Sequence, residues 1–143
     1  MPKGNSVQRV DEILIQVSDV QRSLKFYRDG LGIALKATAY GDDSFEANVG
    51  GVRFLIHPDF DGSLKNVHRG AGIHIHFWVP DADVYYALLR KRGIQVIEPP
   101  ENRPWGRHLA VVDPDGYRIE ILGPVKKAKR QGKGGAPTPA AKQ

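Results

Sequence analysis

The chain has 143 residues, 41% of them hydrophobic and 26% charged, as expected for one compact globular domain or two small half-domains that share a core. It contains no cysteine, which excludes a disulfide framework and thiolate chemistry and leaves His, Asp and Glu as candidate metal ligands. No apolar run is long enough to span a membrane, and the N-terminus lacks the apolar segment of a signal peptide. We therefore expect a cytoplasmic protein with no membrane partner.

The positive charge of the chain is concentrated at its C-terminal end. Residues 125–143 contain six Lys and Arg side chains and no acid, whereas the remainder has 15 basic and 16 acidic residues. The formal net charge of +5 thus describes the tail, and the body is close to −1. Few apolar side chains occur in the tail, so we predict that it is disordered. A solubilising role accounts for its charge, and we infer no specific nucleic-acid partner.

Residues 8–58 are predicted to form a first β-α-β-β-β unit after a flexible lead-in at residues 1–7. The segment VDEILIQV alternates, with Ile13, Ile15 and Val17 on the opposite face from Glu12 and Gln16, which is typical of a half-buried strand. Asp19 can cap the helix that follows. The predicted elements of this unit are strand Val10–Val17, helix 19–29, and strands Ile33–Tyr40, Phe45–Val49 and Val52–His57.

The same order of elements is repeated in residues 72–124, after a polar linker at residues 59–71. The segment IHIHFWV alternates as a strand, and Asp81 can cap a second helix. The residues Asp113-Pro114-Asp115-Gly116 strongly favour a tight turn before the last strand. The predicted elements are strand Ile73–Val79, helix 81–92, strand Ile94–Ile97, a proline-rich loop Glu98–Arg103, and strands Trp105–Asp113 and 117–122.

Superposing the two halves pairs Glu12 with His74 and Leu55 with Glu120, on the face of each sheet that points away from the apolar side. The other candidate residues of this polar face are Gln16, Arg53, His57, His76, Trp78 and Arg118. A sheet that merely faces water is also polar, which explains the arginines better than it explains Trp78 or the symmetric glutamate and histidine positions. His57 precedes Pro58 at the end of a strand, which favours a surface residue over a metal ligand. His68 and His108 have no partner at metal-binding spacing, and we interpret both as incidental.

The segments SDVQRSLKFYRDGLGI and WGRHLAVVDPDGYRIEIL resemble the vicinal oxygen chelate superfamily, which includes glyoxalase I, fosfomycin-resistance proteins, extradiol dioxygenases and bleomycin-binding proteins. The resemblance covers about residues 8–124. It implies an α+β fold of two tandem βαβββ units, which form one domain with a curved, cup-shaped mixed sheet and helices outside, often as a homodimer. It also implies a metal-dependent enzyme acting on a small, oxygenated substrate.

Carried over from the family, the metal positions are Glu12, Leu55, His74 and Glu120. His74 and Glu120 match the family pattern, Glu12 stands where His is usual, and Leu55 cannot bind a metal. The remaining set of Glu12, His74 and Glu120 suits one divalent ion such as Mn²⁺, Fe²⁺, Mg²⁺ or Zn²⁺. Loss of the fourth ligand favours fosfomycin-resistance or dioxygenase-like chemistry over that of glyoxalase I. Lyase, transferase, isomerase and dioxygenase reactions all stay open.

Around this metal set, Glu120 and His76 are the candidate catalytic residues, and His76 or His57 could instead be an additional ligand. Arg53 and Arg118 suit a carboxylate or phosphate of an anionic substrate. The remaining candidate substrate-binding residues are Gln16, His57, Trp78 and Trp105.

A second hypothesis is a metal-free protein that binds a small molecule or drug. The sequence Trp105-Gly106-Arg107 resembles a motif of bleomycin-type resistance proteins. Under this hypothesis Trp78, Phe45 and Trp105 stack on a flat ligand, while the glutamates pair with the arginines or with a cationic ligand.

Overall fold

The computed structural model describes residues 6–41, 43–59, 62, 64–65 and 72–127. The chain divides into two compact units, Met1–Val67 and His68–Gln143. Each unit follows the order β-α-β-β-β, and each forms its own four-stranded mixed sheet. The prediction of an α+β fold with two tandem βαβββ units is therefore confirmed.

In the first unit, the first and last strands lie side by side in parallel, and the other pairs are antiparallel. Its strand order is β1-β4-β3-β2. The alternation of β1 buries Ile15 and Val17, and β4 contributes Phe54 and Ile56 to the same core. The elements of the unit are β1 (Glu12–Val17), α1 (Val20–Leu24) with a π-helical continuation (Lys25–Gly30), β2 (Lys36–Ala37), β3 (Phe45–Val49) and β4 (Val52–Pro58).

The first helix begins where the sequence predicts, because the Asp19 side chain accepts a hydrogen bond from the Arg22 backbone N–H at 3.0 Å. The buried residues Leu24 and Tyr27 pack the helix onto its sheet, and the Tyr27 ring lies 5.4 Å from that of Phe54. The second half of the helix is π-helical, which the periodicity of the apolar residues does not reveal.

The second unit repeats this topology with the order β5-β8-β7-β6, and β5 and β8 are parallel. Asp81 caps α2 by accepting hydrogen bonds from the backbone N–H groups of Asp83 and Val84. Leu89 is the fully buried anchor of this helix. The elements of the unit are β5 (Ile75–Trp78), α2 (Ala82–Lys91), β6 (Val96–Arg103), β7 (Gly106–Val112) and β8 (Arg118–Gly123).

Two strand predictions were wrong. The proline-rich segment Glu98–Arg103, predicted as a loop, is part of strand β6, with register shifts on both sides of Glu98. Prolines are tolerated on the edge strand of a sheet, and the register shift between Glu98 and Glu101 leaves Pro99 and Pro100 outside the regular pairing with β7. Conversely, only Lys36–Ala37 of the predicted strand Ile33–Tyr40 pairs with β3.

Several predictions concern residues outside the described ranges. The lead-in is described only at Ser6 and Val7, and the tail only at residues 125–127. Residues 128–143, which were predicted to be disordered, lie outside the described ranges, and so does most of the linker 59–71. The union of the two units into one domain and the homodimer stay predictions. No helix in the described part of the chain is long and apolar enough to cross a membrane.

We predict that Gly106→Ala destabilises the fold by about 2–3 kcal/mol. Gly106 opens β7 at a φ of 145°, and a Cβ there would lie 2.9 Å from the backbone oxygen of Gly123 on β8. Gly93→Ala is the control. Gly93 has a φ of 78°, and nothing lies within 4 Å of an added Cβ. This variant should therefore lose only about 1 kcal/mol of unfolding free energy, from backbone strain alone. Denaturant titration compares the two, and equal losses would contradict the steric argument.

We also predict that Asp83→Asn reduces stability by about 1 kcal/mol at pH 7. Asp83 accepts two hydrogen bonds from Arg107, at 2.9 and 3.0 Å, and these hold the pKa of its carboxyl below the ordinary 3.8. A depressed folded-state pKa stabilises the protein above the unfolded-state pKa, and this contribution is lost as the pH falls through the folded-state value.

The difference in unfolding free energy between wild type and Asp83→Asn should therefore be constant from pH 7 to about pH 5 and shrink below about pH 4. Asp29→Asn is the control, since Asp29 pairs with Arg28 on the exposed surface and should contribute little. A difference that stays unchanged at pH 3 would show that the ion pair is not its source.

Candidate functional site

The polar face of the second unit is set by the parallel pairing of β5 and β8. Their register places His76 beside Glu120 and Trp78 beside Leu122. Because alternate residues of a strand share a face, Arg118 joins Glu120 on β8, and His74, which directly precedes the end residue Ile75 of β5, lies two residues before His76. The opposite face of β8 consists of Ile119 and Ile121, which are fully buried. The hydrophobic core therefore fixes which way the polar residues point.

Glu120 is the centre of this face, and its side chain is only 6% exposed. One carboxylate oxygen, Oε2, accepts a hydrogen bond from Arg118 Nε at 2.5 Å and lies 3.2 Å from His74 Nδ1. The other, Oε1, accepts a hydrogen bond from Nε2 of His108. Both oxygens of the carboxylate are thus held by neighbouring side chains.

The surroundings of Glu120 keep it ionised. Burial by itself would raise the pKa of its carboxyl, but the hydrogen bonds from Arg118 and His108 outweigh this effect and lower the pKa below its ordinary value. A carboxylate that is ionised at neutral pH is the form that binds a metal ion.

Three potential metal ligands converge on this face. One ligand atom each from His74, His76 and Glu120 can be chosen so that all three lie within 4.8 Å of one another. Both histidines are exposed, and their rings lie nearly parallel with centroids 6.4 Å apart. Two imidazoles and one ionised carboxylate on one open face form a donor set that fits a divalent transition-metal ion.

The interpretation of His108 as incidental was wrong. His108 is 3% exposed on β7 and contacts Glu120 directly. Its position could have been found from the hairpin, since the turn at Asp113–Gly116 sets the register that pairs His108 with Leu122 and Ala110 with Glu120. His68, the other histidine given this interpretation, lies outside the described residues.

Glu98 is a second residue of the site that the sequence did not single out. One of its carboxylate oxygens lies 2.9 Å from Nη2 of Arg118, and the other lies 3.7 Å from Nδ1 of His108. Arg118 therefore bridges two carboxylates, and its hydrogen bonds to Glu120 and Glu98 raise the pKa of its guanidinium. Glu98 was missed because its segment was predicted to be a loop.

The first unit carries a different polar face. Arg53 on β4 donates to Glu12 and Glu46, both at 2.6 Å, and to the Tyr40 hydroxyl at 2.7 Å. The hydrogen bonds to Tyr40 and Glu46 raise the pKa of Arg53. Leu55 lies between Arg53 and His57 on β4. The part of this unit that the structure describes contains no convergent group of three His, Asp or Glu ligands.

Glu12 therefore lies in the first unit, in an ion pair with Arg53, whereas His74 and Glu120 meet in the second unit. Glu12 as a ligand of the same ion stays a prediction. A surface cavity of about 500 Å³ adjoins Arg53. The residues that line it are Ala34, Lys36, Glu46, Ala47, Asn48 and Arg53.

Four candidate substrate-binding residues remain to be described: Gln16, His57, Trp78 and Trp105. Gln16 on β1 is in register with His57 on β4, whose Nδ1 lies 2.9 Å from the carbonyl oxygen of Pro58. Trp78 is 63% exposed at the end of β5, on the same face as His76. Trp105 is 51% exposed in the turn before β7. Their role in substrate binding stays a prediction.

Comparison with curated proteins finds distant relatives. The chain is 25% identical over 122 residues to metallothiol transferase FosB of Staphylococcus epidermidis, covering 80% of this chain and 83% of that protein. It is 27% identical over 127 residues to a probable chloroplastic lactoylglutathione lyase of Arabidopsis thaliana, covering 82% of this chain. The match spans only 36% of the Arabidopsis protein.

Solved structures share the fold. A hypothetical protein from S. aureus superposes with a TM-score of 0.69 at 16% identity, covering 85% of this chain and 98% of that one. TnmS3, an antibiotic binding protein from Streptomyces sp. CB03234, gives a TM-score of 0.67 at 24% identity, covering 83% of this chain and 98% of that one.

A family model matches most of the body of the chain. It is described as the Glyoxalase/Bleomycin resistance protein/Dioxygenase superfamily, and the match extends over residues 9–121. This range includes the whole first βαβββ unit and the second unit up to Ile121, and with it His74, His76 and Glu120. The chain therefore belongs to the Glyoxalase/Bleomycin resistance protein/Dioxygenase superfamily.

Proposed function

We propose that this protein is a metal-dependent enzyme of the vicinal oxygen chelate type, with His74, His76 and Glu120 as the protein ligands of one divalent ion. The observation that carries the proposal is the convergence of these three ligand atoms within 4.8 Å on one face. The relationship to a metallothiol transferase at 25% identity supports the metal-dependent class without identifying the reaction.

The chemistry of the donor set narrows the choice of ion. Two imidazoles with one carboxylate suit Fe²⁺, Mn²⁺ or Zn²⁺, whereas Mg²⁺ prefers ligand sets made of oxygen alone. A bound ion with open positions would supply Lewis-acid stabilisation to neighbouring oxygens of a chelated substrate. The reaction itself can be a lyase, transferase, isomerase or dioxygenase step.

Charge on the second unit's polar face bears on the substrate. With the imidazoles counted as uncharged, the connected carboxylates of Glu98, Glu101 and Glu120 and the guanidinium groups of Arg103 and Arg118 give a net charge of −1. A divalent ion changes this to +1, so the metal-loaded face favours an anionic substrate. Arg118, which also bonds to Glu98 and Glu120, is the candidate side chain to pair with that anion, and Trp78 has an exposed ring on the same face.

The ligand set derived from the family resemblance and the set that converges in the structure differ in one residue. The resemblance implies Glu12, which lies in the first unit and is bonded to Arg53. The convergent set contains His76, which is beside Glu120 in the β5–β8 register. The two sets therefore make opposite predictions for two single variants.

We predict that Mn²⁺, Fe²⁺ or Zn²⁺ at one hundred times its dissociation constant stabilises the wild-type protein by about 2.7 kcal/mol. The His76→Ala and Glu120→Gln variants should lose this stabilisation, and Glu12→Gln should retain it. Thermal unfolding of chelator-treated protein with each ion added back measures the effect, and elemental analysis of freshly purified protein identifies the ion.

The opposite pattern, in which Glu12→Gln loses the stabilisation and His76→Ala retains it, would replace His76 by Glu12 in the ligand set. If no ion stabilises the wild-type protein and purified protein contains none, the metal-dependent proposal fails.

A metal-free binding protein is the second candidate, and the pairing of Glu120 favours it. Both carboxylate oxygens already accept hydrogen bonds from Arg118 and His108, and the metal-free face is negative, which suits a cationic ligand. Under this hypothesis metal-free bleomycin, a cationic drug with planar rings, should bind chelator-treated protein, and Trp78→Ala should weaken binding. Calorimetric titration distinguishes the metal-free binding protein from the metal-dependent enzyme. Binding that requires an added metal ion would contradict the metal-free hypothesis.

A further inference from the structure

Among the groups around Glu120, His108 has no place in the ligand set proposed above. It lies on β7, one strand further from β5 than Glu120, and its side chain is 4% exposed. Its Nε2 donates to Oε1 of Glu120, and its Nδ1 is buried without a hydrogen-bond partner. The nearest acid to Nδ1 is Glu98, whose oxygen at 3.7 Å is beyond hydrogen-bond distance.

A buried imidazole with one unpaired nitrogen costs stability, because that nitrogen gives up water and gains no partner. A leucine at this position would avoid the cost and would lie on the same face of β7 as Ala110, which is fully buried. The fold alone therefore gives no reason for a histidine at position 108. Its one strong contact, with Glu120, gives the reason.

The geometry around Glu120 shows what this contact achieves. His108 holds Oε1 on the β7 side, and Arg118 holds Oε2 from its own strand. With both oxygens held, the plane of the carboxylate is fixed. Oε2 is the oxygen that lies 3.2 Å from His74, on the side where the three potential ligands converge.

We propose that His108 is a positioning residue that holds Oε1 of Glu120 and thereby presents Oε2 as a single-oxygen ligand beside His74 and His76. This inference rests on the proposed metal site. Carboxylates that bind metal ions are commonly oriented by such outer hydrogen bonds, and removal of the outer partner typically weakens metal binding 10- to 100-fold.

The test compares two substitutions at this position. His108→Leu keeps the bulk and removes the donor, whereas His108→Gln keeps an N–H donor at about the reach of imidazole Nε2. We expect His108→Leu to weaken Mn²⁺ and Co²⁺ binding by about 10- to 100-fold and to change the visible absorption of the Co²⁺-loaded protein. His108→Gln should restore most of the affinity and the wild-type spectrum.

Leu109→Val is the matched control for general destabilisation. Leu109 is the next residue on β7, is fully buried and points to the opposite face, so its truncation loosens the core without touching Glu120. Metal affinity and the Co²⁺ spectrum should be unchanged in this variant. If His108→Leu does not fold, His108→Asn takes its place, because its shorter amide does not reach Glu120 and the same loss of affinity is expected.

The outcomes separate this inference from the proposed function. Wild-type affinity and spectrum in the Leu or Asn variant, with Co²⁺ bound normally by the wild type, would overturn the role of His108 and leave the metal site intact. A loss in His108→Gln as large as in His108→Leu would also overturn it. A wild-type protein that binds neither Mn²⁺ nor Co²⁺ would overturn the proposed function, and this inference with it.

Discussion

The need to compensate a buried carboxylate governs the second unit. Glu120 lies on a strand whose neighbouring residues Ile119 and Ile121 are fully buried, so its side chain cannot leave the site without disturbing the core. Removal of a buried charge from water costs several kcal/mol unless donors replace the water. Arg118 and His108 supply those donors, and Glu98 in turn balances Arg118. The polar face is therefore one connected network rather than a set of independent side chains.

The two units show how one scaffold supports different chemistry. In each, an arginine on the last strand bridges two glutamates: Arg53 with Glu12 and Glu46, and Arg118 with Glu98 and Glu120. In the first unit, however, Leu55 stands at the position that corresponds to Glu120, and the first strand carries no histidine. One arginine and two glutamates leave a net charge of −1 in both networks, but among the described residues the convergent imidazoles occur only in the second unit.

Periodicity was sufficient to predict the duplicated topology, both helix caps and the shared face of His74, His76 and Glu120, because these features depend on local alternation and turn chemistry. It was insufficient for β6, where two prolines suggested a loop but an edge position tolerates them. The role of His108 was also missed, since it depends on the register across a hairpin. The sequence left open whether Glu12 binds a metal ion or pairs with Arg53, because Arg53 is 41 residues away in the sequence.

The prolines of β6 also bear on how copies of this protein can meet. An edge strand with free N–H and C=O groups is a template onto which another chain can add a strand. Pro99 and Pro100 have no backbone N–H, and the register shifts around Glu98 bend the strand out of a regular ladder. This edge is therefore a poor template for fibril growth or for sheet extension across two molecules.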